Sequence, residues 1–215
     1  MVKPGIYNKN IKNTKVIKKE NGDVWLYYAG WNRMSSVPFN TSIGLAISKD
    51  GGDTFKRIGD GPLLSHSLDE PFVVSGPKIR KFNGSYYLYY LAGHKWIKEG
   101  DRSEIIYKNR MAQSNDGINW ERLGINIIAD KLGDNECQAG PDVFYYKNKY
   151  HMYYVYRYGT SDHRTITGRG YKIGYAYSDD LINWTRDDDN VGISYSDEGW
   201  DSEMHHYPHV FELNG

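Results

Sequence analysis

Three segments of the chain place a glutamate five to seven residues before a proline, each just ahead of an apolar run: Glu70 with Pro77, Glu136 with Pro141, and Glu203 with Pro208. Asp201, His205 and His206 flank the last glutamate, and Gln138 follows the second. Carboxylates gathered in this way suit acid–base or nucleophilic work. Cleavage of a glycosidic bond needs one carboxylic acid to protonate the leaving oxygen and one carboxylate as base or nucleophile. A neighbouring arginine or third carboxylate pushes the two pKa values apart and so assigns the roles. The alternative is that the glutamates are solvated, or pair with Arg33, Arg157 or Arg164.

A second group of segments, "GWNR" (30–33), "GHKW" (93–96) and "YRYG" (156–159), supplies Arg33, Arg157, Trp31 and Trp96. Guanidinium groups hold hydroxyl or acidic groups, and an aromatic face stacks on the apolar face of a sugar ring. The chain has 20 Tyr and 6 Trp against 6 Phe, a bias that fits a carbohydrate cleft and equally fits a tyrosine-rich β core. "HHYPH" (205–209) has no second cluster at liganding spacing, and "RDDDN" (186–190) lacks the closing glutamate of a calcium loop, so no metal and no cofactor is expected.

The elements that must position these residues recur. "NGDVWLYY", "NGSYYLYY" and "NKYHMYY" are one element used three times, each following an apolar run across an Asn/Gly/Lys turn. "IGLAISKDGGDTF", "RMAQSNDGINW" and "IGYAYSDDLINW" are a second, with Ala46, Ala112 and Ala176 in register, as are Ser48, Ser114 and Ser178. In the first element Tyr86, Leu88 and Tyr90 alternate with Tyr87 and Tyr89, so both faces of that strand are buried. In the second, Gly44 and Gly174 let neighbouring layers approach. The pattern predicts an all-β fold: a β-propeller built from four-stranded antiparallel blades with strands of about five or six residues.

Because strand direction alternates in such a blade, the segments before strand one and the loops after strand two share one face. The carboxylates, arginines and tryptophans thus converge on one end of the predicted axis. The "SNDGINW" turns fall on the opposite end, where Asp and Gly suit a tight corner. Residues 1–215 read as one propeller domain of about three full blades plus the first strand of another, "PHVFELNG". Propellers close with typically ~4 to 8 blades, so the sequence reads as incomplete, and open blade edges predict self-association.

Composition narrows the partners. Lys plus Arg equals Asp plus Glu at 27 each, so no net field favours nucleic acid or an anionic membrane. No apolar run reaches membrane-spanning length, and the N-terminus lacks the apolar centre of a signal peptide, which together predict a cytoplasmic protein. One cysteine, Cys137, excludes an internal disulfide.

The blade motifs resemble those of the five-bladed β-propeller glycoside hydrolases of the arabinanase/β-xylosidase and invertase/levansucrase superfamily. From about Gly30 onward, "GWNR", "EPF", "ECQA", "GRGYKIGYAYSDDLINW" and "GWDSEMHHYPHVFE" are similar to uncharacterised glycosidase-like propellers associated with surface polysaccharide or glycolipid genes. The resemblance implies five blades and a polysaccharide or glycoconjugate substrate. It implies a catalytic set at Glu70, Glu136 and Glu203, with Asp201 beside the last. On this reading Glu203 is the general acid, Glu70 or Glu136 the base or nucleophile, and Asp201 a modulator of pKa. Arg33, Arg157, Trp31, Trp96, His205, His206 and Gln138 contact the substrate. The second unit departs from the pattern, reading "SGP" where an aspartate before the proline matches the superfamily better. The alternative function is a carbohydrate-binding propeller without turnover.

Overall fold

The computed structural model describes residues 11–211, with side chains from Lys15 onward. They form three four-stranded antiparallel sheets. The first holds β1 (Ile11–Lys18), β2 (Val24–Asn32), β3 (Asn40–Ser48) and β4 (Lys56–Arg57). The second holds β5 (Val74–Phe82), β6 (Ser85–Glu99), β7 (Arg102–Ser114) and β8 (Glu121–Arg122). The third holds β9 (Glu136–Tyr146), β10 (Lys149–Tyr158), β11 (Lys172–Ser178) and β12 (Thr185–Arg186). Within each sheet the strands lie in chain order, as in the blade of a propeller. Among the described residues no helix is long and apolar enough to cross a membrane.

Strand lengths differ from the even spacing read in the sequence. The outermost strands shrink to two residues, whereas β6 and β7 reach 15 and 13. "GHKW" is therefore not a loop. It continues β6 past a register shift between Gly93 and Lys95, and the β6–β7 hairpin projects beyond its sheet to a turn between Glu99 and Arg102. Residues 205–211 carry no ladder pairing of their own, and Glu212 to Gly215 of the expected fourth inner strand lie outside the described residues.

The two-faced strand behaves as its alternation requires. Tyr86, Leu88 and Tyr90 pack with Trp25, Tyr27, Ile43 and Leu45 of the first sheet. Tyr89, on the other face, packs with Val143, Met152 and Tyr154 of the third. Burial of each such side chain stabilises by roughly 1.5–3 kcal/mol, so the interlayer cores hold the sheets in their fan. Gly44 and Gly174 make room within a sheet and not between layers: a Cβ at Gly174 would lie 2.5 Å from the ring of its cross-strand neighbour Tyr154, and one at Gly44 would lie 2.5 Å from that of Tyr28.

The turns between third and fourth strands repeat in detail. Ser114 Oγ donates to Asp116 at 2.9 Å, and Asp116 accepts the N–H groups of Ile118 and Asn119 at 2.8 Å. Asp180 repeats this with Ile182 and Asn183, and those hydrogen bonds hold its carboxyl down at about 2. The aspartates serve the corner.

All three inner strands break register at the same place: between Lys12 and Lys15, Ser75 and Lys78, and opposite Tyr153 to Val155. In β5 and β9 the break is Gly-Pro. Gly76 and Gly140 adopt φ of 65° and 59°, and the proline that follows has no N–H to leave unpaired. Tyr207 takes φ 59° ahead of Pro208, so the fourth segment repeats the same kink with a non-glycine residue. The prolines singled out in the sequence are thus bulge residues that turn each inner strand at the mouth of the fan.

Candidate functional site

A cavity of about 560 Å³ opens at that mouth. Its floor is the bulge backbone of β5 and β9 at Gly76, Pro77 and Gly140, with Lys78 beside it. The end of β2, the connection after it and the start of β3 bring Trp31, Phe39 and Thr41; the projecting hairpin brings Trp96, Glu104 and Tyr107; the end of β10 brings Arg157, and the β10–β11 connection brings Arg164 and Tyr171. His206 and Tyr207 complete the wall. Beneath lies an apolar cluster including Val73, Ile105, Ile106, Cys137 and Val155, which ties the second and third sheets together.

One wall is aromatic. Trp31 and Phe39 lie 4.5 Å apart between centroids, and Phe39 meets Trp96 edge-on at 5.5 Å. The opposite wall is polar. Tyr107 and Tyr171 bond hydroxyl to hydroxyl, and the Arg157 guanidinium lies 5.5 and 5.2 Å from their rings. Arg157 Nη1 donates to the Tyr158 carbonyl at 2.7 Å. Arg164 forks onto Glu104 at 2.6 and 3.3 Å. Burial opposes ionisation of Glu104, but the Arg164 fork and nearby Arg157 outweigh it and hold the carboxyl below its usual range. His206 packs on Tyr171 at 4.1 Å, and burial, with the charge of Arg157, pushes its pKa down to about 4.

Four buried hydrogen-bonding atoms of residues that line the cavity find no partner among the described residues: Thr41 Oγ1, Ser75 Oγ, Arg157 Nε and His206 Nδ1. Thr41 is 1% and Ser75 4% exposed, and both residues border the cavity. Buried polar groups are nearly always paired, and leaving one unpaired costs about 1–3 kcal/mol.

The residues singled out in the sequence divide. Trp31, Trp96, Arg157 and His206 do line the cavity; Glu70, Glu136, Gln138, Arg33, His205, Asp201 and Glu203 do not. Glu70 is 1% exposed, takes the Tyr90 hydroxyl at 2.7 Å and pairs with Arg122 at 2.6 Å. Glu136 is fully buried, accepts the N–H groups of Lys131 and Leu132 at 2.8 Å, and pairs with Arg186 at 2.7 Å. Gln138 sits in the same network, donating to Glu136 at 2.9 Å. The partners expected for the glutamates were Arg33, Arg157 or Arg164; the structure supplies Arg122 and Arg186 instead. Each stands at the same register position of its outermost strand, opposite Ala112 and Ala176. Two of the three recurring glutamates, Glu70 and Glu136, thus clamp the start of a blade to its own last strand.

Arg33 is exposed. Asp201 lies 3.6 Å from His205, whose N–H donates to the Tyr171 carbonyl at 2.9 Å. Glu203 is exposed in this segment, three residues before His206 reaches the cavity. Asp142, not singled out in the sequence, fixes the segment: it is fully buried, pairs with Arg80 at 2.5 Å, and holds His209 Nδ1 at 2.6 Å and the Val210 N–H at 3.0 Å. Glu104 was also missed. Its signal was the extra length between "GHKW" and "RMAQS", which marks the second unit as carrying more chain at the cavity end.

No protein-family model matches the chain. It is 33% identical over 190 residues to an uncharacterised protein of Mycobacterium tuberculosis, covering 88% of this chain and 59% of that one. It is 32% identical over 143 residues to a 1,2-β-oligomannan phosphorylase of a Thermoanaerobacter species, covering 66% and 40%. The chain therefore spans less than two thirds of the length of these curated relatives. Among solved structures it superposes on a glycoside hydrolase with a TM-score of 0.70 at 21% identity, covering 93% of this chain and 58% of the other. A family 117 glycoside hydrolase of Zobellia galactanivorans gives 0.64 at 22% identity, covering 84% and 56%. The GH32 β-fructofuranosidase of Bombyx mori gives 0.59 at 21%, covering 81% and 36%. The three sheets have the fold of the propeller glycoside hydrolases.

Proposed function

We propose that the cavity binds a sugar residue of a polysaccharide or glycoconjugate, and that the protein is a carbohydrate-active enzyme of glycosidase or glycoside phosphorylase type. The observation that carries the reading is the presence, in one cavity lining, of the Trp31–Phe39–Trp96 aromatics and residues with four unpartnered polar atoms. A pyranose ring offers an apolar face to the first and hydroxyls to the second. The fold of glycoside hydrolases and the likeness to an oligomannan phosphorylase support the same class.

Of the carboxylates, Glu104 is held ionised by Arg164 and suits a base or a stabiliser of positive charge developing on the sugar. Glu203 remains the candidate general acid, because the segment that carries it also delivers His206 and Tyr207 to the cavity. Glu70 and Glu136 drop out of the catalytic proposal, since neither lines the cavity and each is buried against its arginine. Turnover of a glycan panel by the wild type, and by Glu104→Gln and Glu203→Gln, tests the assignment. Loss of turnover with retained affinity in either variant supports it; undiminished turnover in both removes it.

A second reading, glycan binding without turnover, is favoured by one observation: Glu104 is the sole carboxylate among the residues lining the cavity. Binding by the wild type with no cleavage or phosphorolysis of any bound glycan would select it.

A further inference from the structure

The cavity carries more positive charge than its one carboxylate balances. Glu104 is taken up by Arg164, which leaves Lys78 and Arg157. Several cations elsewhere are neutralised, although Arg110, 7% exposed, also forms no ion pair among the described residues. Lys108 sits on Asp130 at 2.7 Å, Arg186 on Glu136 and Asp188 at 2.7 and 2.8 Å, and Arg80 on Asp142 at 2.5 Å. Arg157 is 4% exposed, yet among the described residues it forms no ion pair. It is held by the Tyr158 carbonyl, by His163 at 3.0 Å and by the faces of two tyrosines, with Nε unpartnered. Removing a charge from water without a counter-charge is costly, and ring contacts recover only part of that cost. A guanidinium fixed in this way at a cavity wall is prepared for an acidic oxygen.

Resting on the sugar-binding reading above, we propose that Arg157 and Lys78 seat an oxyanion in this cavity: a carboxylate or phosphate group on the glycan, or free phosphate brought in beside it. Lys78 stands at the kink of β5, on the floor of the cavity, and likewise has no ion-pair partner among the described residues. The two cations reach the cavity from different sheets, one from the second and one from the third. A flexible ammonium and a rigid guanidinium on separate walls suit one multidentate anion better than two separate hydroxyls.

The test is calorimetric titration of the intact chain with glucose, glucuronate, glucose 6-phosphate and inorganic phosphate at matched ionic strength. The expected result is that at least one anionic probe binds about tenfold or more tighter than glucose, the margin of a charge-assisted hydrogen bond. Glucuronate alone identifies a carboxylate-bearing glycan, glucose 6-phosphate a phosphorylated one, and phosphate alone a free co-substrate. Lys78→Gln, on a half-buried side chain, should lose most of that margin with its melting temperature unchanged. Arg157→Lys should lose part of it, since charge is kept and the fork is not. If anions bind no better than glucose, or if Lys78→Gln leaves their affinity intact, the proposal is overturned. Neutral oligosaccharides that still bind would show that the sugar reading survives without it; no binding of any sugar would end both.

Discussion

Replacing Glu136 by glutamine separates the clamp from a catalytic role. Oε2 accepts two backbone N–H groups at 2.8 Å, and Oε1 accepts Gln138 at 2.9 Å and Arg186 at 2.7 Å. Glutamine offers one carbonyl and one NH2, so whichever way it turns, two donors face two others in a site with no solvent access. The Arg186 side chain, 9% exposed, also loses a buried counter-charge. Removing one member of such a pair costs about 3–5 kcal/mol. At about 2–4 °C per kcal/mol for a chain of this size, the melting temperature should fall by roughly 6–20 °C. The double variant Glu136→Leu/Arg186→Met should recover only part of this, because it removes the Glu136–Arg186 pair as a whole but takes Arg186 from Asp188. Calorimetric unfolding reads the shift, and glycan titration well below the transition reads affinity. A Glu136→Gln variant that melts like wild type but no longer turns over its glycan would refute the clamp and restore Glu136 to the mechanism.

Asp142→Asn should be similarly destabilising, about 3–5 kcal/mol, because it strands Arg80 and releases His209 and Val210. Burial resists ionisation of Asp142, but Arg80 and the Val210 N–H prevail and hold its carboxyl below 3.8, so its contribution persists above that pH and fades as pH falls through the lower folded value. Melting temperature against pH from 2 to 5 should therefore show an acid limb that Asp142→Asn lacks. His206 predicts a different window: its pKa falls from 6.5 to about 4 on folding, so between those values the unfolded chain holds the extra proton and stability drops as pH falls, by at most about 3 kcal/mol. His206→Gln should flatten that slope. Gly174→Ala should lower the melting temperature by the equivalent of about 1–3 kcal/mol, since its Cβ would stand 2.5 Å from Tyr154 and 2.8 Å from Asp188.

The blade repeat was legible because Tyr86, Leu88 and Tyr90, alternating with Tyr87 and Tyr89, can be buried on both sides only between layers. The cavity end followed from strand alternation, and Trp31, Trp96, Arg157 and His206 meet there as the alternation requires. The glutamates misled because recurrence at one topological position is equally the signature of a structural clamp. The signal for the clamp was present: Arg57, Arg122 and Arg186 each follow the repeat aromatic by two residues. Glu104 was illegible because it belongs to the second sheet alone. A residue outside the repeat has no copies to expose it, and only the length of the β6–β7 hairpin hinted that something was carried there. Asp142 was hidden for a related reason: its partners Arg80 and Val210 lie 62 and 68 residues away, and no local pattern joins them.

We propose that a sugar ring lies against the tryptophan wall, within reach of the polar residues of the same cavity. Quenching of tryptophan fluorescence by a panel of neutral and acidic oligosaccharides, in wild type and in Trp96→Ala, tests it most directly. The account predicts saturable quenching by at least one glycan, with affinity reduced about tenfold in Trp96→Ala and an unchanged melting temperature. Saturable binding that is identical in Trp96→Ala, or no binding by any member of the panel, would contradict it.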